Sequence, residues 1–232
     1  MEKTNRRSFL KTSVAGAAAG IALADRAPNE AAAQTGMGKL RKSLYYSMLP
    51  GKMSAEERFS LAKRTGFEGV EVPTVEDSAL QAEMKAASVK TGLIIHSIMN
   101  QRHWKFPLSS ADPEAVRQSI EGMQISLRNA KEFGADAVLL VPGVVNADTS
   151  YQDAWDRSRK NIQKLLPLAQ ELKVVIAIEN VWNKFLLSPL EMRDFIDSFD
   201  SKRVGSYFDV GNVLLTGYPD QWIKILGKRI KR

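Results

Sequence analysis

Cysteine is absent from the 232-residue chain, which excludes disulfides and thiolate metal sites and leaves the redox compartment open. Histidine is almost absent, with His96 and His103 the only two. No uncharged run is long enough to serve as a membrane anchor. The stretch from Thr12 to Ala24 has 13 residues, against the ~20 a helix needs to cross a bilayer, so no stable membrane span is expected. A dense basic patch is missing too. Lys and Arg exceed Asp and Glu by 33 to 26, a net charge of +7, but the excess is scattered along helical stretches and clusters only at Lys228 to Arg232. That distribution argues against a nucleic-acid partner. What is present, 44% hydrophobic and 25% charged residues, is the composition of a globular chain long enough for one large core.

The first 33 residues form a separate block. Asn5-Arg6-Arg7-Ser8-Phe9-Leu10-Lys11 precedes the uncharged Ala- and Gly-rich run, and Ala31-Ala32-Ala33 offers a small-residue cleavage site. This is the charged, apolar, small-residue order of a secretory signal. Its adjacent arginines match the twin-arginine (Tat) route that exports folded proteins. Residues 1–33 are therefore expected to be a signal peptide read by the Tat machinery, and residues 34–232 a periplasmic domain.

From Lys39 onward, short β-branched or aromatic runs alternate with longer amphipathic ones. Strands are expected at Ser43–Met48, Phe67–Val72, Leu93–Ile98, Ala137–Val141, Val174–Ile178 and Val204–Phe208. Helices are expected at Ser54–Arg64, Asp77–Thr91, Asp112–Phe133, Tyr151–Leu172 (kinked or split at Pro167), Ser188–Phe199 and Pro219–Gly227. Ser54 with Glu57 and Ser188 with Glu191 have capping-box spacing, and Gly66, Gly92 and Gly134 close three helices. Ile230 to Arg232 would begin a seventh strand. Continuously apolar strands such as Ala137–Val141 indicate a parallel sheet covered on both faces. Strict alternation indicates a parallel α/β fold. An open doubly wound sheet would carry a glycine-rich phosphate loop after its first strand, where this chain has Leu49-Pro50-Gly51-Lys52-Met53. Polar residues instead gather at the C-terminal ends of several strands, as in an eight-stranded (β/α) TIM barrel. The expected fold is such a barrel, incomplete at six βα units plus the start of strand seven.

Two carboxylates stand out. Glu179 closes the fifth strand after four apolar residues, and Asp209 follows the sixth. Adjacent parallel strands lie ~4.8 Å apart, so carboxylates at equivalent heights would repel and one would take up a proton unless a divalent cation such as Mg²⁺ or Mn²⁺ lay between them. The alternative is that each merely pairs with a loop lysine or caps a helix. Glu71 and His96 are placed at the mouth ends of strands two and three, as substrate contacts or satisfied core groups. Trp104, in Arg102-His103-Trp104-Lys105-Phe106, belongs to a sugar-binding lip or a stapled surface loop. Lys184, beside Trp182 and Asn183, is placed to reach a substrate oxygen or phosphate.

Taken together, Gly69-Val70-Glu71-Val72, Ile95-His96-Ser97, Ile178-Glu179-Asn180 and Phe208-Asp209-Val210-Gly211-Asn212 resemble the xylose-isomerase-like barrel family, which includes sugar-phosphate isomerases and epimerases and ketose 3-epimerases. The likeness runs from Ser43 to Arg232. It implies that Glu179 and Asp209 are ligands of a divalent metal (Mn²⁺, Mg²⁺ or Zn²⁺) and that Glu179 is also a catalytic proton-transfer group. His96, Glu71, Trp104, Lys184 and Asn212 would contact a small sugar substrate, and the reaction would pass through an enediolate. The family's remaining ligands, a His from strand seven and a Glu from strand eight, lie beyond Arg232, so residues 34–232 are expected to bind metal weakly and to be inactive and poorly soluble. Ketose 3-epimerases place a His where Asn212 stands and a Glu near Phe185 and Leu186, which weakens the likeness to that subgroup. The competing readings are a non-catalytic exported carbohydrate-binding barrel and an apurinic-site endonuclease, the latter disfavoured because its three-zinc cluster needs many histidines. A homo-oligomer is left open.

Overall fold

Helix and strand boundaries follow from local chemistry in a computed structural model that describes residues 40–232. Residues 1–33, and with them the expected signal peptide, lie outside the described residues. Strand β1 is Ser43–Tyr45 and helix α1 is Ala55–Arg64, opened by the Ser54/Glu57 capping box. Then come β2 (Gly69–Pro73), α2 (Ser78–Thr91), β3 (Ile94–Met99), α3 (Pro113–Phe133) and β4 (Ala137–Leu140). Asp77 and Asp112 accept backbone N–H bonds at the starts of α2 and α3, and Gly92 and Gly134 end them in the left-handed conformation that glycine adopts without steric cost. The expected single helix from Tyr151 is two, α4 (Tyr151–Gln163) and α5 (Leu166–Leu172). The break sits where Pro167 has no N–H to give the carbonyl of Gln163. The chain continues with β5 (Val175–Glu179), α6 (Pro189–Asp197, with the Ser188/Glu191 box), β6 (Val204–Tyr207), a four-residue α7 (Val210–Val213) that was not expected, and α8 (Pro219–Leu226).

The first strand is shorter than the sequence suggests. Residues Tyr46–Met48 form a 3₁₀ turn, because the Tyr46 ring swings onto Phe59 with centroids 6.1 Å apart and under the Arg58 guanidinium at 4.6 Å. That packing removes it from the ladder.

All six strands lie in one parallel sheet in the order β1-β2-β3-β4-β5-β6. Among the described residues the sheet does not close. Ile230 bridges Ser206 in parallel, Lys231 N–H donates to Ser206 O at 2.8 Å, and Phe208 N–H donates to Arg232 O at 2.7 Å. The expected start of a seventh strand therefore lies along β6. Side chains alternate between faces of a strand, and the outer face is settled by packing. Val70, Val138, Ile176, Ile178 and Val204 share one core with Phe59, Met84, Leu127 and Phe195 from the helices. Each fully buried aliphatic or aromatic side chain of that kind contributes ~1.5–3 kcal/mol. Residues in between, including Glu71, Ala177, Glu179 and Tyr207, face the inner side.

Candidate active site

Glu179, the last residue of β5, pairs in register with Tyr207 of β6, and Asp209 follows two residues later on the same inner side. Both carboxylates thus stand at the C-terminal ends of adjacent parallel strands. Opposite them, Glu71 is 7% exposed and accepts a hydrogen bond from Ser97 Oγ at 3.0 Å, and the Tyr207 hydroxyl lies 3.1 Å from the same Ser97 oxygen. Side chains from β2, β3 and β6 are thereby joined beneath the two carboxylates.

Charge is crowded in this space. Burial, then the neighbouring Asp209 and Glu71, push the Glu179 carboxyl up to about 7. Burial also raises Glu71, partly offset by hydrogen bonds from Tyr207 and Ser97. The Tyr207 phenol is raised too, first by burial and then by Glu71. These are the marks of carboxylates held where water cannot fully solvate them. Perturbed acids converging at strand ends are a recurrent property of catalytic sites.

Asp209 is held in a rigid frame. Its Oδ1 accepts from Asn212 N–H at 2.8 Å, capping α7, and its backbone N–H and C=O both bond to the Asn180 side chain at 2.8 Å. Asn212 Nδ2 returns a bond to Asn180 O at 3.0 Å, and Trp182 Nε1 donates to Asn212 O at 3.3 Å. The ends of β5 and β6 are locked together through two asparagines. This leaves Asn212 committed by its amide nitrogen to backbone, whatever its carbonyl does.

The other residues proposed from sequence separate. Glu71 is inside the sheet at mid-strand, below the mouth. His96 is not at the mouth end of β3. The β2–β3 register shifts between Val70 and Glu71, so that Glu71 opposes Ser97 and His96 is the extra residue. Its ring packs toward Gly69 at the N-terminal end of β2 and shares a cavity with Lys42, Ser43 and Arg232. A bulge of this kind re-aims a side chain, and it gives the inner-facing position opposite Glu71 to Ser97. Trp104 is 52% exposed and stacks edge-on against His103. Lys184 is exposed in a left-handed conformation (φ 59) and lines an outer groove with Trp182 and Trp222. Among the described residues neither Trp104 nor Lys184 bonds to the acidic cluster. Phe185 and Leu186, standing where ketose 3-epimerases have a Glu, are buried, and the Phe185 ring packs on Tyr151, Trp155 and Phe195.

Residues the sequence did not single out include Ser97 and Tyr207. A serine and a tyrosine inside short strands carry no signal of their own, and only the register brings them to Glu71. His103 is another. It is 3% exposed, its Nδ1 accepts from Val141 N–H at 3.4 Å, and burial pushes its pKa down to about 4, so the ring is neutral at ordinary pH.

As a metal centre the site fits in part. Glu179 makes no hydrogen bond or ion pair among the described residues, and its proton affinity is raised by burial and then by neighbouring carboxylates. A dication would relieve both conditions. Glu179 and Asp209 supply two oxygen-donor side chains, while no group of three or more His, Asp or Glu is assembled among the described residues.

Comparison with known proteins agrees with the architecture. The family profile described as xylose isomerase-like TIM barrel matches residues 59–232. L-ribulose-5-phosphate 3-epimerase UlaE of Salmonella paratyphi B is 28% identical over 184 residues, covering 73% of this chain and 63% of that protein. The chain thus spans less than two thirds of the length of the curated relatives it matches. Among solved structures, 3-keto-D-glucoside 4-epimerase YcjR from E. coli, in apo form, superposes with a TM-score of 0.72 at 16% identity, over 83% of this chain and 77% of that one. D-psicose 3-epimerase from Clostridium cellulolyticum H10, solved with D-tagatose, gives 0.71 at 15%, over 82% and 71%. Those structural likenesses speak for the fold, and the profile match over most of the chain establishes that it belongs to the xylose isomerase-like TIM barrel family.

Proposed function

We propose that the chain carries the acid–base centre of a metal-dependent sugar or sugar-phosphate isomerase or epimerase. One observation carries the proposal. Among the described residues the Glu179 carboxyl stands unpaired on the inner side of the sheet, where burial and then the neighbouring Asp209 and Glu71 raise its pKa to about 7. A carboxylate placed there can take a proton from a carbon beside a carbonyl and return it, and a dication beside it would lower its raised proton affinity. Glu71, Ser97 and Tyr207 form a polar wall that can orient sugar hydroxyls against Glu179, and the Asn180–Asp209–Asn212 frame holds Asp209 in place. Glu179 and Asp209 would hold a Mg²⁺, Mn²⁺ or Zn²⁺ ion, which would supply positive charge against a substrate carbonyl oxygen. The names of the epimerase relatives support this chemistry, as does the pairing of two carboxylates at the ends of β5 and β6.

The test is proton exchange. The full chain, loaded with Mn²⁺, is incubated in D₂O with ketoses and ketose 5-phosphates, and loss of the C–H signal beside the carbonyl is followed by NMR. Proton exchange is the half-reaction that needs only the base and the cation. The predicted result is therefore exchange by the parent chain at saturating Mn²⁺ even without net turnover, and a fall of 10²-fold or more in Glu179→Gln, as expected for losing a positioned acid–base group (~10²–10⁴-fold). Sugar binding without exchange would refute catalysis and leave a carbohydrate-binding barrel.

A further inference from the structure

A second polar site lies at the opposite end of the sheet. A cavity of about 250 Å³ opens at the N-terminal ends of β1, β2 and β3, lined among others by Arg41, Lys42, Glu68, Gly69, His96 and Arg232. Three of those side chains are cations and one is an anion. The Arg232 guanidinium is engaged with Asp136 and with His96 O. Arg41 approaches Glu68 only to 3.9 Å. The Lys42 ammonium forms no hydrogen bond or ion pair among the described residues. The local balance of these groups is positive.

His96 lines this cavity, with both ring nitrogens buried and neither hydrogen-bonded among the described residues. A buried polar group without a partner is costly, and native structures leave few of them. Gly69 makes the arrangement possible, since a Cβ there would lie 3.0 Å from His96 Cδ2. Burial and the Arg232 charge hold the imidazole neutral down to about pH 4, with Asp136 opposing. An N–H donor and a ring acceptor therefore lie unpaired beneath the wall of a cationic pocket, and a ligand that draws out the donor while answering the cations is an anion rich in oxygen. The volume suits a group of four or five heavy atoms with its water and excludes a dinucleotide.

We propose that this N-terminal cavity binds a small tetrahedral oxyanion, a phosphate or sulfate group, held by Lys42, Arg41 and the His96 ring. The site is independent of the acidic cluster, from which it is separated by the depth of the sheet. An anion there favours the imidazolium, so binding and His96 protonation reinforce one another. Lys42, Arg41 and Arg232 oppose that protonation, and Glu68 and Asp136 favour it.

Sulfate is the suitable probe because it stays a dianion throughout the imidazole titration. With only two histidines in the chain, their ring proton NMR signals resolve, and His96→Gln assigns them. Millimolar sulfate added to the full chain is expected to shift the His96 signal, leave His103 in place and raise the His96 pKa from about 4 toward the ordinary range. Lys42→Met, an exposed substitution that leaves the fold intact, should weaken sulfate binding about tenfold or more, as loss of a charged hydrogen-bond donor does. Glu179→Gln should not weaken it, so the outcome stands apart from that of the exchange assay. A ketose 5-phosphate serves as second titrant. A His96 shift by sulfate alone assigns the site to the free ion, and a shift by both assigns it to phosphate esters as well. A His96 signal that ignores sulfate and phosphate at every pH, or binding that Lys42→Met leaves unchanged, would overturn the proposal.

Discussion

Glu179 shows how far a single position can be taken. Its sequence context, four apolar residues and then an acid, places a carboxylate at the edge of a buried strand. The neighbours that tune it, Asp209 and Glu71, come from other strands and are visible only in the fold. The sign of the resulting pH dependence follows directly. With a folded-state pKa of about 7 against an ordinary 4.5, the folded chain keeps a proton that the unfolded chain has already released. Its contribution to stability is complete below about pH 4.5 and is lost as pH rises through 7. His96 and His103, both lowered to about 4, run the other way, since the unfolded chain binds their protons first and stability is lost as pH falls from 6.5 toward 4. Glu179→Gln isolates the first effect. Thermal unfolding from pH 4 to 8 should show the variant matching the parent at the acid end and melting above it at pH 8, with Mn²⁺ closing that gap by stabilising the parent only. A constant difference across the range would mean that the carboxyl is not perturbed.

At the scale of elements, caps were the most legible feature. Ser54 with Glu57 and Ser188 with Glu191 form the reciprocal bonds their spacing predicts, because a capping box needs only residues three apart on one chain. Asp209 shows why such reasoning has to be checked against chemistry. It caps α7 through Asn212 N–H, the plain structural role that its position allowed, and it also faces Glu179. Two substitutions separate these roles. Asp209→Asn keeps a capping oxygen and should cost little stability while abolishing Mn²⁺ binding. Asp209→Ala should lose both, at about 0.5–2 kcal/mol, the usual worth of an N-cap. Equal loss of stability in the two variants, measured by urea unfolding, would show that the charge and not the cap holds the ends of β5 and β6. The loop after β5 was harder to foresee. Lys184 and Leu186 adopt left-handed backbone (φ 59 and 56) without being glycine. The packing of Phe185 among Tyr151, Trp155 and Phe195 and the bond from Leu186 N–H to the Tyr151 hydroxyl hold them there.

For the molecule as a whole, β1 and β6 are the outermost strands of the sheet among the described residues, and residues 230–232 lie along β6. The chain's destination is a separate matter. We propose export by the twin-arginine route, which suits a protein whose site assembles from β2, β3, β5 and β6 and so exists only once folded. Arg6→Lys together with Arg7→Lys should retain the precursor in the cytoplasm, read by fractionation and immunoblot, because the paired arginines are a receptor-read address. Unchanged periplasmic accumulation would exclude that route.

Sequence alone determined the order and type of the main elements, their caps and terminating glycines, the parallel barrel class, and Glu179 and Asp209 as a pair at neighbouring strand ends. All of these depend on periodicity or on residues a few positions apart, where one chain carries the whole signal. The tertiary structure decided the rest. It turned Tyr46 out of β1 onto Phe59, moved His96 to the far end of the sheet through a one-residue shift in the β2–β3 register, and joined Glu71 to Ser97 and Tyr207. A register shift moves a side chain to a different neighbour without changing a letter of the sequence. Glu71, Ser97 and Tyr207 are far apart along the chain, and only the pairing of the strands brings them within hydrogen-bond reach.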